Sequence, residues 1–186
     1  MRANKIMNYE SILQVLGESG CPFCRFLKNF QAALMQEPKH KEIHHLCSFH
    51  TWGLAATQRA ASAAELFLDP LEKKPDDSTP PSCDICVLLQ VEEDRRIREF
   101  VGSAQHKLVA QWMRSQAFLC IAHGAKLKQN ATPLIALAIG TITEKCRNRL
   151  VEDLTRLSSE FEPENTEWGL LGHAAEFLAS QRGLRP

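Results

Sequence analysis

Apolar residues along this chain recur every three or four positions rather than every second one. That is the period of an amphipathic helix and not of a strand. From Asn8, Ile12, Leu13 and Leu16 form a short stripe that stops at Gly17 and Gly20. Pro22 stands where the first turn of a helix tolerates proline, and Phe23, Phe26, Leu27, Phe30 and Leu34 follow at helical spacing until Pro38. A third, alanine-rich helix is predicted from about Ser48 to Leu71, with Leu54, Ala61, Ala64, Phe67 and Leu68 on its apolar side.

Residues 73–82, Lys-Lys-Pro-Asp-Asp-Ser-Thr-Pro-Pro-Ser, carry no apolar side chain and read as an exposed linker. Beyond it, helices are predicted over Asp84–Val101, Ala104–Gln116 and Leu119–Lys128. Thr132-Pro133 then forms an N-cap followed by proline at the first helical position. The helix opened there is the longest, with Ile135, Ile139, Ile142, Cys146, Leu150, Leu154 and Leu157 along one face and Glu162-Pro163 as its stop. A last helix, Thr166–Arg182, sets Trp168, Leu171, Ala175 and Leu178 on one side and ends at Gly183. No hairpin signal interrupts the series. The pattern predicts an all-α protein of about eight helices, with a unit over 1–72, the linker 73–82, a related unit over 83–162 and a closing helix over 166–183. Each unit is too small to bury much core alone, so a single domain is expected.

Composition narrows the function. Lys and Arg number 22 and Asp and Glu also 22, so no global positive field draws in nucleic acid or anionic lipid. The longest mostly apolar stretch, Pro133 to Ile142, is far short of the ~20 residues that a membrane span needs. Met1 to Ile6 has basic residues but no apolar run behind it, which does not read as a signal peptide. A cytoplasmic location follows as the expectation. In that compartment, 7 cysteines point to metal or redox chemistry rather than to disulfides.

Six of those cysteines fall into one pattern used twice. Cys21-Pro-Phe-Cys24 is followed by Leu46-Cys47-Ser-Phe-His50, and Cys83-Asp-Ile-Cys86 by Leu119-Cys120-Ile-Ala-His123. A Cys-x-x-Cys at a helix start places both sulfurs near free backbone N–H groups and the positive end of the dipole, which favours thiolate. Cysteine and histidine three apart on a helix face the same way. Taken consecutively, the pairs predict two Cys₃His sites: Cys21, Cys24, Cys47 and His50 in one, and Cys83, Cys86, Cys120 and His123 in the other. Such tetrahedral sets are those of structural zinc, and two zinc ions are the expected cofactors. An iron–sulfur cluster on the same cysteines is the alternative, although clusters concentrate three cysteines in one short run.

A thiol-exchange reading also exists. Cys21-Pro-Phe-Cys24 is similar to the dithiol of glutaredoxins, but the stretch before it is amphipathic and no βαβ pattern follows. Cys146 lies on the apolar stripe of the longest helix and reads as core. His44 and His45 adjoin the first Cys-x-x-His, but the matched place of His123 selects His50. His40 and His106 read as surface residues, and His173 as a packing or capping residue near Trp168. Glu92, Glu93 and Asp94, followed by Arg95, Arg96 and Arg98, predict ion pairs on a solvated helix face. No catalytic constellation, phosphate loop or Gly-x-Ser-x-Gly element is present.

The order of Cys-Pro-x-Cys, a helix with an acidic end at Glu37, Leu-Cys-x-x-His, a linker, a second Cys-x-x-Cys and Cys-x-x-His, and a closing helix with Trp168 resembles an uncharacterised group of bacterial helical proteins. The resemblance covers about residues 20–182 and departs where Asp84 stands in place of the proline. It implies a bacterial or archaeal cytoplasmic protein with two metal-like sites, and no activity. Together these readings predict a zinc-stabilised interaction or scaffold module whose partner is a protein or a second copy, without nucleic acid or membrane insertion. The alternative function is an iron–sulfur or thiol-based redox protein or sensor.

Overall fold

A computed structural model of the chain describes residues 20–36, 45–57, 64, 67–68, 82–103, 106–115, 117–159 and 168–179. Seven helices are found among them: α1 Pro22–Gln36, α2 Ser48–Thr57, α3 Asp84–Ser103, α4 His106–Arg114, α5 Ile121–Asn130, α6 Pro133–Ser159 and α7 Trp168–Ala179. The only extended pairing among the described residues is an isolated parallel bridge between Gly20 and Ala117. The protein is all-α, as the hydrophobic period predicts. The short stripe over Asn8–Leu16, most of the run from 58 to 71 and nearly all of the linker lie outside the described residues.

The chain divides into two compact units that interleave along the sequence. The first comprises the described residues between 20 and 25 and between 95 and 179, the second those between 26 and 94. The chain passes from one to the other inside α1 and returns inside α3.

The core of the first unit forms around α6, which packs against α4, α5 and α7. Thr132 begins α6 as predicted, its carbonyl accepting a hydrogen bond from the Ala136 amide at 2.8 Å. Ile139, Ile142 and Leu150 are buried on the predicted stripe, with Ile135, Cys146 and Leu154 packed beside them. Aromatic rings finish the core. Phe100 meets Phe23 edge-on at 5.7 Å and Trp112 at 5.1 Å, and the Trp112 indole N–H donates to the Ala117 carbonyl at 3.2 Å. At edge-to-face distances such pairs contribute beyond their buried area.

The core of the second unit joins Leu34 and Met35 of α1, Leu54 of α2, and Cys83, Ile85 and Leu89 at the start of α3. Gly53 lets α2 approach closely, because a Cβ there would fall 2.2 Å from the Met35 Cε.

The charged run of α3 departs from its expected solvated face. Glu92, Glu93 and Arg96 are buried, whereas Arg98 is exposed. Their positions continue the helical stripe of Ile85, Leu89, Ile97 and Phe100, so the same periodicity that buries the apolar residues carries these charges inward. Arg95 pairs with Glu99, and Arg96 reaches the same carboxylate at 3.4 Å.

Candidate metal centres

All eight candidate ligands belong to one local device, repeated four times. Cys21, Cys47, Cys83 and Cys120 each stand immediately before a helix, and each carbonyl accepts the first helical hydrogen bond, from Arg25, Thr51, Val87 and Gly124 at 2.9 to 3.1 Å. The second ligand of each pair, Cys24, His50, Cys86 or His123, is the third residue of that helix. Three residues bring the chain back to the same side of the first turn, so each pair presents two ligand atoms together.

The structure unites these pairs differently from the consecutive grouping. One group is Cys21, Cys24, Cys120 and His123, and the other is Cys47, His50, Cys83 and Cys86. The first pair in sequence thus joins the fourth and the second joins the third, correcting the predicted partition while keeping three cysteines and one histidine in each group. Two physical reasons account for this. A helix starting at a ligand pair carries the chain away, by about 30 Å for the 20 residues of α3. Sequence distance also discriminates weakly, since a loop about fourfold longer costs only roughly 1 kcal/mol more to close. Contacts between the segments therefore decide.

Those contacts differ in the two centres. In the first, the Phe118 amide donates to the Gly20 carbonyl at 3.2 Å, which brings the segment before Cys120 alongside Cys21. Gly20 has φ +98°, a conformation that L side chains rarely adopt. The Cys21 amide donates to Glu176 Oε1 of α7 at 3.1 Å. Phe23, held between the two cysteines, stacks on the His123 ring at 5.5 Å. Gly124 lets α5 lie close to α6, since a Cβ there would be 3.0 Å from Thr143 Oγ1. In the second centre a reciprocal clamp does this work. The Asp84 amide donates to the His45 carbonyl at 2.9 Å, and the His45 amide donates to Asp84 Oδ2 at 2.9 Å. Asp84 also places a carboxylate in the first turn of α3, the favourable end of its dipole. The residue that departs from proline in the sequence frame is therefore what fastens the two ligand pairs. Ile85, fully buried, occupies the place of Phe23.

The distances fit one ion per centre. In the first, His123 Nδ1 lies 3.6, 3.4 and 3.0 Å from the sulfurs of Cys21, Cys24 and Cys120, and Cys24 Sγ lies 3.7 Å from Cys120 Sγ. In the second, His50 Nδ1 lies 3.3, 3.3 and 3.5 Å from Cys47, Cys83 and Cys86, and Cys47 Sγ lies 3.9 Å from Cys86 Sγ. A tetrahedral zinc shell with ordinary bond lengths places sulfurs about 3.8 Å apart and sulfur about 3.5 Å from nitrogen. A disulfide bond is roughly half that sulfur separation, and all seven cysteines are free.

Without metal, the thiols of each centre compete for protons. Hydrogen bonds from Cys21 and Cys24 hold the Cys120 thiol down to about 4. The bond that Cys24 makes to Cys120 pushes its own thiol far up. In the second centre burial works against ionisation of Cys47, but the His50 amide and the thiols of Cys83 and Cys86 outweigh it and lower its value. Burial, followed by the Cys83 sulfur, pushes Cys86 up to about 12. In both centres the sulfur whose value is lowered belongs to the Cys-x-x-His pair.

The remaining candidates fall outside the ligand groups. Cys146 packs against the core of the first unit, as expected, and burial raises it to about 11. His45 is exposed and serves through its backbone, and His173 meets the Phe118 ring edge-on at 6.0 Å. His40 and His44 and the His106 side chain lie outside the described residues. Sequence reasoning missed Glu176, Asp84 and Phe23 as supports of the ligands. Only Asp84 left a signal, by breaking the match between the two frames. Burial raises the Glu176 carboxyl even as it accepts the Cys21 amide.

No described helix is long and apolar enough to cross a membrane. Comparison with family models, curated proteins and solved structures found no match for the chain in any of the three.

Proposed function

We propose that this chain is a zinc-stabilised cytoplasmic helical protein acting as a protein-interaction or scaffold module. The observation that carries the metal role is the closed ligand set: four protein atoms, all within 4.8 Å of one another, in each of two groups. Four protein ligands fill a tetrahedral shell and leave no position for water or substrate, the property of a structural site. The same span favours a single ion over a cluster, which distributes its thiolates over several irons. The interaction role draws on apolar side chains turned to solvent in the second unit: Trp52, 76% exposed and two residues after His50, and Val87, Leu88 and Val91 of α3. Val87 and Val91 stand four apart and form a stripe on a helix that begins at a ligand. The ligand frame also remains the ground for its resemblance to the uncharacterised helical group.

Purification from the native host tests both parts. Two zinc ions per chain in a colourless protein are expected, and absorbance near 400 nm would sink the zinc reading. A stoichiometric protein partner, or a second copy, should be retained by the native chain and lost on Trp52→Ser with metal content unchanged. Retention through that substitution and through Val91→Ser would remove this surface from the function.

A further inference from the structure

The two centres contain the same sulfur pair in different surroundings. In each, the cysteine of Cys-x-x-His lies next to the second cysteine of Cys-x-x-Cys: Cys120 beside Cys24 at 3.7 Å, and Cys47 beside Cys86 at 3.9 Å. The first pair is sealed, with Cys24 1% and Cys120 0% exposed. Both members of the second pair are partly exposed, although Cys83 and His50 behind them are buried. We propose that Cys47 and Cys86 form an oxidative modification site, at which a peroxide converts the pair to a disulfide and releases the metal of the second centre, while the first centre remains loaded. This rests on both centres binding zinc.

The chemistry balances with a peroxide as the named oxidant. The Cys47 thiolate, at the head of α2, attacks the terminal oxygen of the peroxide. The O–O bond breaks, an alkoxide or hydroxide leaves, and Cys47 becomes a sulfenic acid. The Cys86 thiolate attacks that sulfur, the S–S bond forms, and hydroxide leaves. Two protons from solvent neutralise the two leaving groups. The two thiolates lose two electrons and the peroxide gains them. Cys83 and His50 remain, and two ligands cannot close a four-coordinate shell. Access separates the centres, because oxidation follows thiolate character and exposure, and metal coordination makes every ligand sulfur a thiolate.

The experiment uses the full chain with its metal content measured beforehand. Fewer than two zinc ions per chain at that point would refute the zinc reading beneath this inference. With two ions present, hydrogen peroxide is added and released zinc is followed with a chromogenic chelator, with disulfides mapped by mass spectrometry. One ion per chain should leave at least about tenfold faster than the other, together with a Cys47–Cys86 disulfide. Release of both ions at one rate, a Cys24–Cys120 disulfide formed first, or fast release with no Cys47–Cys86 bond would each overturn the inference and leave the zinc reading standing. Cys47→His supplies a second measurement, since it preserves four protein ligands and removes one sulfur of the pair. The loaded variant should lack the fast phase, and a fast phase of wild-type rate would overturn the proposal. If the variant does not load two ions, the wild-type rates and disulfide map decide alone.

Discussion

The first centre is enclosed by its unit, with every ligand buried, whereas the second has two ligands at its surface. Their ligand chemistry is the same, so the difference lies in what surrounds it. An aromatic ring, a glycine-permitted bridge and a carboxylate from α7 support the first. An aliphatic side chain and a two-way clamp through Asp84 support the second. Identical local ligand pairs can therefore become a sealed staple or an accessible one, depending on the helices packed around them.

On the proposed zinc reading, the largest expected effect comes from removing the metal. Structural zinc contributes on the order of 10 kcal/mol to folding, so chelation should melt helices in both units. Cys24→Ser and Cys86→Ser should each lose one ion. Cys24→Ser should cause the greater loss of helix by circular dichroism, because it also leaves a polar group in a sealed core. Unchanged circular dichroism after verified metal removal would refute a structural role for either centre.

Next come the side chains behind the ligands. Phe23→Ala should cost roughly 3–5 kcal/mol in denaturant unfolding, a large aromatic truncation in a packed core. It should also weaken zinc retention in the first centre, because the ring that holds His123 is gone. Ile85→Ala should cost roughly 2–5 kcal/mol with a smaller effect on zinc retention. Equal zinc loss from the two variants would show that the stacked ring is not what distinguishes the centres.

The clamps should give smaller effects. Gly20→Ala should cost about 1–3 kcal/mol, from a side chain placed in a strained backbone conformation beside Glu176. Asp84→Ala should cost about 1 kcal/mol, one hydrogen bond at an exposed position, with Asp84→Asn recovering most of it. Thermal unfolding of the zinc-loaded variants measures both.

The smallest effect concerns Cys146, the cysteine outside both centres. Its folded value is raised to about 11, by burial first, with Arg149 opposing. Burial favours the neutral thiol, so its stabilising contribution is complete below the ordinary thiol value and is lost as pH rises through about 11. In the zinc-loaded chain, alkylation of Cys146 by iodoacetamide should therefore rise with pH later than that of a free thiol. A midpoint at the ordinary thiol value would show that Cys146 is not desolvated.

Whatever depends on near neighbours was legible in the order of residues. The three-to-four spacing of Ile139, Ile142 and Leu150 set the buried face of α6, and Thr132-Pro133 set its start. Each Cys-x-x-Cys and Cys-x-x-His fixed two ligands on one helical first turn, because i and i+3 share a face wherever a helix begins. Which pairs meet was settled by packing between distant segments. Loop closure barely penalises the longer connection, so the choice fell to contacts invisible in the spacing: the Gly20–Phe118 hydrogen bond, the Phe23–His123 stack and the Asp84–His45 clamp. Tertiary structure also decided which charges of α3 are buried and which sulfurs reach solvent. Burial depends on all the elements packed around a residue, and no local window of sequence contains them.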